Sequence, residues 1–500
     1  MTPSFTPRPP TMRIVPILLF SALAAALAGC ASMGGPHPAS QPRQAGQLQA
    51  TRSFSGVPTA SQWPAGDWWT GLGDRRLNTL IHEALKDNPD LAMARARARA
   101  AEARAGAADA ANQPQLSAGA SISGARLPTT LIAPPYGGHF NWVKYGYLKF
   151  NWDLDLWGGQ RDAWEAAVGR ARAAAIDARA ARLDISSNVA RAYAHLGYAF
   201  EQRDLAHKDL DIAKKVLRLT RQRLTAGIDN QLQVQQSSSG LATARQRMAA
   251  ADRGVSRARL VLSALLGKGP DRGLQIARPS TLTPAAVALP SKLPAELLGH
   301  RPDVVAARLR VQAAGKDIAR AKTRFLPNIS IGALAGLASG SGTSLFQLPA
   351  RFYQVAPAVS LPIFEGGRLR ANLAGREAER DLAVAHYNKI LVNDLDDIAD
   401  KLDAMHAVQS RTAAQQSALT AARETWTLAM QRYQSGIGND LQVLRAQHQL
   451  LAAKSARDAL HAEQVDLSIQ MIQALGGGLQ LKTAAVHSSR PSPDSHRDTP

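Results

Sequence analysis

A single cysteine, Cys30, serves all 500 residues, which excludes any intrachain disulfide. After residue 28 no apolar run reaches the ~18 residues that a membrane-spanning helix requires, so any crossing of a bilayer must be made by strands. Enzyme signatures are missing too. Gly267-Lys268-Gly269 lacks the hydroxyl residue that would complete a phosphate loop. The twelve histidines form no i, i+4 pair and no His-Glu-x-x-His, and no Gly-x-Ser-x-Gly elbow occurs. The reading is a non-enzyme with no catalytic residue, cofactor or metal. Acidic residues are also scarce, 39 against 59 Lys and Arg, for a net charge of +20. That excess raises nucleic acid as a partner. The arginines, however, are spread through Ala-rich stretches (Arg95, Arg97, Arg99, Arg104), the pattern of a solvated helix face, and nucleic acid is not expected.

What is present begins with an export signal. Arg8 and Arg13 precede the apolar run Ile14 to Ala28, which ends at Leu27-Ala28-Gly29-Cys30. Met12-Arg13 alone would also start a compact signal. The segment resembles a bacterial lipoprotein signal, whose cysteine is acylated and becomes the first mature residue. The Ala31 that follows, in place of Asp, favours the outer membrane. Residues 30–60, rich in Pro, Gly, Ser and Gln, read as a flexible tether, and 481–500 as a disordered tail.

The body of the chain is written twice. Arg223-Leu224-Thr225-Ala226-Gly227-Ile228 with Leu232-Gln233-Val234 returns 209 residues later as Arg432-Tyr433-Gln434-Ser435-Gly436-Ile437 with Leu441-Gln442-Val443. Pro89-Asp90 and Pro114 return as Pro302-Asp303 and Pro327 at an offset of 213. The boundaries that follow are a signal at 1–29, a first repeat at 61–267, a connector at 268–301 and a second repeat at 302–480. A duplicated unit of this size calls for a symmetric architecture.

Each repeat alternates long helices with strands. No proline interrupts 160–224, whose apolar spacing suits one helix of ~65 residues, close to 100 Å. The stretch 367–433 matches it. Val234, Leu241, Met248, Val255 and Leu262 then recur every seven residues, with Ala244, Ala251, Ala258 and Leu265 three further on, a coiled-coil seam. Gly227 and Gly436 end the long helices at hairpin tips, and Asn230/Gln233 and Asn439/Gln442 have capping-box spacing for the next ones. The Asp394, Asp397, Asp400 run reads as a solvated face. Strands are expected at about 115–125, 140–157, 328–337 and 352–364, where apolar and polar residues alternate. Phe140, Trp142, Leu148, Phe150 and Trp152 share one parity, and Lys149, Asn151, Asp153 and Asp155 the other. Lengths of roughly 10 residues suit lipid outside and water inside, which makes Lys149, Asn151, Asp153 and Asp155 candidate lumen residues. Four strands leave two open edges, forbidden in hydrocarbon. Neighbouring chains must therefore supply the rest of the wall: two copies make a narrow filled barrel, three make twelve strands with a lumen.

These marks together resemble the TolC-like outer-membrane factors, in particular their OprM/NodT-type lipoprotein branch. The residues that carry the resemblance are Leu27 to Cys30, Trp68-Trp69, Asn88-Pro89-Asp90-Leu91, Asp153-Leu154-Asp155-Leu156-Trp157-Gly158, and Arg301-Pro302-Asp303. Leu361-Pro362-Ile363-Phe364-Glu365-Gly366-Gly367-Arg368, Gly436 to Leu444 and Ala474 to Gly478 complete it. The resemblance implies a mostly α protein with transmembrane β: a homotrimer whose twelve-stranded barrel, four strands per chain, stands on a long α-helical periplasmic barrel. It implies docking to a periplasmic adaptor and an inner-membrane pump, with outer-membrane lipid around the barrel. The expected function is a passive efflux conduit for small toxic compounds, drugs or aromatic acids. Alternatives are the outer-membrane component of type I protein secretion and a lipid-anchored coiled-coil scaffold without a pore. One departure stands out. Family members often carry aspartates at the positions of Gln442 and Arg445; here the tip candidates are Gly227, Gln233, Gln236, Gly436, Gln442 and Arg445, none of them acidic. Where this helix face points inward, a ring of Arg445 is expected to favour anions over cations; the alternative is that Arg445 faces an adaptor or solvent.

Overall fold

The computed structural model describes residues 39–44, 47–48, 54, 59–60, 64–126, 128–134, 137–285, 289–290, 299–340, 343–437 and 440–478. The signal peptide, Cys30, Asn439 and the C-terminal tail lie outside them. After a 3-10 turn at Trp68–Leu72 come α1 (Arg75–Asp87), α2 (Pro89–Ala110), β1 (Gln115–Arg126), β2 (Phe140–Leu154), α3 (Gly159–Thr225), α4 (Gln231–Leu265) and the short α5 (Pro270–Leu274). The second half runs α6 (Pro302–Thr323), β3 (Asn328–Ser339), β4 (Arg351–Ser360), α7 (Arg368–Gln434) and α8 (Asp440–Ala474). The duplication is visible in the element lengths. Helices α2 and α6 have 22 residues each, α3 and α7 have 67, and α4 and α8 have 35.

Local chemistry explains where these elements stop. Pro89 and Pro302 take the first helical position, where a missing N–H costs nothing. Asn230 and Gln233 form the expected reciprocal capping box at the start of α4. All four helices α3, α4, α7 and α8 end alike, on a glycine with positive φ (Gly227, Gly267, Gly436, Gly476). At each, the following residue's N–H reaches five residues back, as Ile228 does to Arg223 and Gly477 to Ile472, both at 2.9 Å.

The chain forms two compact units, Met1–Pro42, Ala96–Ala175 and Ala306–Asn388 in one, and Arg43–Arg95, Ile176–Val305 and Lys389–Pro500 in the other. Each unit takes segments from both repeats. The first holds an antiparallel sheet in the order β1-β2-β3-β4. In the same unit Ile318, Ala321 and Leu373 pack together, and Lys316 bridges Asp162 at 3.0 Å and Glu165 at 2.6 Å. The second has a core of Trp68, Trp69, Leu72, Leu77, Ile81, Tyr193, Leu196, Leu262 and Ile469. Further along α3, Ala213 and Leu217 pack on Val234, Leu241 and Ala244 of α4, while Ile212 packs on Leu444 and Leu451 of α8. Asp209 holds both neighbours, Arg247 at 3.2 Å and His448 at 2.8 Å. The heptad seam of α4 is buried at Val234, Leu241, Val255 and Leu262, but Met248 and Ala251 are only half-buried.

Four expectations change. Strand β2 stops at Leu154, not 157, because the chain turns there: the Leu156 N–H bonds to the Leu154 carbonyl at 2.9 Å. Strand β4 stops at Ser360, not 364, since Pro362 has no N–H for a ladder. Asp394 is not on a solvated face; it is 5% exposed. It lies on the stripe of Leu391, Leu395 and Ile398, whereas Asp396 and Asp400 are rotated away into solvent. The described parts of the expected flexible tether are also fastened. Ala39 and Ser40 bond to Asp381, and in the other unit Leu48 and Phe54 pack on the cluster of Leu395, Ile398 and Leu402.

Candidate functional site

The pairing register decides which side chains share a face of the sheet. Leu116 stands opposite Phe150, Ala118 opposite Leu148 and Gly124 opposite Trp142. Leu148 stands opposite Ala335, Phe150 opposite Ala333 and Trp152 opposite Ile331, and β4 adds Val355 and Val359 opposite Ala333 and Ile329. One face is thus apolar over most of its length across all four strands, interrupted toward the Arg126–Phe140 end by Arg126, Lys144 and Arg351. Its side chains lie open: Leu116 is 69% exposed, Tyr353 87% and Val359 70%. An apolar surface of this extent is not stable against water and needs hydrocarbon or a partner. Lys149, opposite Ser117, and Asn151, opposite Gln115 and Gly332, lie on the other face, with Asp153 opposite Ser330. Strands β1 and β4 each have an unpaired edge.

Of the four lumen candidates, Lys149, Asn151 and Asp153 share that polar face. Asp155 does not. It lies past the end of β2, and its carboxylate accepts the backbone N–H groups of Gln160 at 3.0 Å and Arg161 at 2.8 Å, so it caps α3. Next to it the Trp157 indole donates to the Pro327 carbonyl at 2.6 Å, fixing the corner between β2 and α3 to the start of β3. Asp153, Asp155 and Trp157 line a cleft of about 630 Å³ together with Arg320 and Arg324.

At the hairpin tips Gly227 and Gly436 have φ of 74° and 73°. Arg223 closes the first tip with a two-pronged bond to Asp229 at 2.9 and 3.2 Å. Gln233 and Gln236 are exposed three residues apart on α4, as are Gln442 and Arg445 on α8, so each tip helix carries one exposed pair on one face. Gln233 is partly committed, its Oε1 accepting the Asn230 N–H at 2.7 Å.

Sequence reasoning missed a charged cluster at the base of the second repeat. Arg301 forks onto Asp303 at 3.0 and 2.6 Å, reaches Asp394 at 2.7 Å and donates to the Ala474 carbonyl at 3.0 Å. Burial pushes Asp394 up to about 7 despite Arg301, and Oδ2 of Asp394 has no hydrogen-bond partner. Partial desolvation by its neighbours also raises Asp184, although the residue is exposed, against a bond from Gln473 at 2.9 Å. Asp303 is only half-buried, and the fork from Arg301 holds it below the usual carboxylate range against the desolvation that would raise it. The available signal was the apolar stripe on which Asp394 lies.

An antiparallel sheet with an apolar exposed face, set on helices of 67 residues that end in glycine-turned tips, defines a membrane channel subunit rather than an enzyme. The chain belongs to the outer membrane efflux protein family, whose model matches residues 80–268 and 293–477, and its place is the outer membrane. It is similar to the fusaric acid resistance protein FusA of Burkholderia cepacia, 34% identical over 70% of this chain and 67% of that protein. The toluene efflux pump outer membrane protein TtgF of Pseudomonas putida is 31% identical over 91% of this chain and 96% of its own length. Among solved structures, the outer membrane protein VceC of Vibrio cholerae superposes with a TM-score of 0.77 at 32% identity, covering 84% of this chain and all of that one.

Proposed function

We propose that three copies of this chain join their sheets edge to edge into a twelve-stranded barrel, and that this barrel is the outer-membrane exit of a tripartite efflux system. One observation carries the reading: the four-stranded sheet has a face that is apolar over most of its length, with cations only toward the Arg126–Phe140 end, and among the described residues two unpaired edges. Unpaired edges inside hydrocarbon each leave a row of backbone groups without partners, a cost that closure removes. Twelve strands leave room for a water-filled lumen, lined by the face that carries Lys149, Asn151 and Asp153. The conduit is passive. A periplasmic adaptor and an inner-membrane pump supply selection and energy, and the names of FusA and TtgF support small organic toxicants as cargo. Acylated Cys30 anchors each subunit to the same membrane. Reconstitution of the purified oligomer into planar bilayers tests the barrel: stable conductance steps are expected, and a monomer that never conducts would refute it.

At the tips, Gln233, Gln236, Gln442 and Arg445 form the narrow end. Three copies of Arg445 give it a positive ring that favours anionic solutes. Reversal potentials in a salt gradient check this: Arg445→Asp shifts selectivity toward cations. A wild-type channel already cation-selective, with no change in the variant, removes the ring from the account.

A further inference from the structure

Residues 39–41 of the N-terminal arm are held on α7 between Arg380 and Asn388. Oδ2 of Asp381 accepts the backbone N–H of Ala39 and Oδ1 that of Ser40, both at 3.1 Å. Arg380, beside it, donates to the Ser40 carbonyl at 3.2 Å, and Asn388 donates to the Gln41 carbonyl at 3.3 Å. A carboxylate that takes two successive amides grips the backbone itself, through charge-assisted bonds stronger than neutral ones.

Chain length gives this grip a consequence. Nine residues lead from Cys30 to Ala39, at most about 30 Å of extended chain. Asp381 lies thirteen residues into α7 from Arg368, about 20 Å along the helix axis. Arg368 in turn follows the end of β4 after the segment 361–367. The leash is therefore just long enough to return from Asp381 to the strand ends. Asp381 supplies two of the four bonds; once the single bonds from Arg380 to Ser40 and from Asn388 to Gln41 release as well, the next fastened residue, Leu48, leaves a leash of eighteen residues.

We propose that Asp381 is a positioning residue for the membrane anchor: by gripping Ala39 and Ser40 it limits the leash to nine residues, so that the acylated end and the strands enter one patch of membrane. The inference rests on the reading of Cys30 as acylated. Doubling the leash lowers the effective concentration of the anchor at the strand ends by roughly threefold.

Three full-length proteins test it: wild type, Asp381→Ala, and a variant with nine Gly/Ser residues inserted after Met33, which lengthens the leash and leaves Asp381 intact. Trypsin cleavage after Arg43 in the solubilised oligomer reads the grip. It should quicken about tenfold or more in Asp381→Ala, as expected for losing charge-assisted bonds, and stay slow in the insertion variant. Equal rates in all three overturn the grip. Pulse-labelled chains are then followed into the outer-membrane fraction; both variants should arrive roughly threefold more slowly, and an insertion variant that keeps the wild-type rate overturns the leash. Acyl labelling separates this from the underlying reading. Wild type without label at Cys30 removes the anchor and this inference together, whereas labelled protein with unchanged rates removes only this inference.

Discussion

Asn88 and Arg301 occupy the same place in the two repeats and do the same thing with different chemistry. Asn88 Nδ2 donates to the carbonyl of Leu265, the last residue of α4, at 2.8 Å; Arg301 Nη1 donates to the carbonyl of Ala474, the last residue of α8, at 3.0 Å. Each ties the start of a 22-residue helix to the end of a 35-residue one. The neutral version also caps α2, its Oδ1 accepting from Asp90 at 2.8 Å and Leu91 at 3.2 Å. The charged version brings two carboxylates with it, Asp394 buried and Asp303 half-buried.

Asn88→Ala removes the cap and leaves the Leu265 carbonyl without its donor, a loss of about 2–3 kcal/mol. Arg301→Met leaves the buried Asp394 and the half-buried Asp303 without their cation and should lose more, about 3–5 kcal/mol. Unfolding midpoints of the solubilised oligomer rank the two. The opposite order would mean that the charged joint contributes less than its neutral counterpart.

The same joint makes stability depend on pH near neutrality. Asp394 titrates at about 7, above its ordinary 3.8. A carboxylate with a raised folded-state value binds protons more tightly when folded. Its contribution is fully present below its ordinary value and is lost as pH rises through 7. Asp184, shifted the same way, adds to the slope. Asp303, held low, contributes stability that is fully present above its ordinary value and is lost only as pH falls below it, so it adds nothing to the slope near neutrality. Thermal midpoints should fall between pH 5 and pH 8 in wild type, and Asp394→Asn should flatten that fall and be the more stable protein at pH 8. Parallel curves for the two proteins would contradict this assignment.

Four glycines with similar φ should respond differently to alanine. At Gly227 and Gly436 an added Cβ meets nothing within 4 Å, so Gly→Ala costs only the left-handed conformation, about 1–2 kcal/mol. At Gly267 the Cβ would stand 2.4 Å from the Asp87 carbonyl oxygen, and at Gly476 2.3 Å from that of His300. Backbone must move there, and recovery of folded oligomer should drop for Gly267→Ala and Gly476→Ala while the tip variants assemble normally.

Tyr193 donates to Asp74 at 2.8 Å, and the Ser280 hydroxyl donates to the same oxygen at 2.6 Å. Burial alone would raise Asp74, but these bonds and the Arg76 and Ser280 amides hold it below its ordinary value. Tyr193→Phe should cost about 1.5–3 kcal/mol at neutral pH. Because a depressed carboxylate loses its contribution as pH falls, the variant should also show less further loss on acidification below pH 4 than wild type does. An acid limb as steep as that of wild type would point to other groups.

Much of this was legible in the residues, because the signals concerned were local. The offsets of 209 and 213 residues, the heptads of α4, the period-two alternation around Phe140 to Trp152 and the glycines after each long helix depend only on near neighbours in sequence. Strand ends were misplaced where a turn or a proline acted, at Leu154 and Ser360. Asp155 was assigned to the lumen by parity, which says nothing about a backbone that has already turned into a helix cap.

The sequence by itself determined the duplication, the helix lengths and the need for a wall larger than one chain can build, since each follows from spacing along the backbone. Only the tertiary structure decided that Asp394 is buried against Arg301, that all four strands turn their apolar sides the same way, and that Asp381 holds the N-terminal arm. Those facts join residues up to 342 positions apart, and a charge or a strand edge acquires its cost or its partner only when distant segments have met.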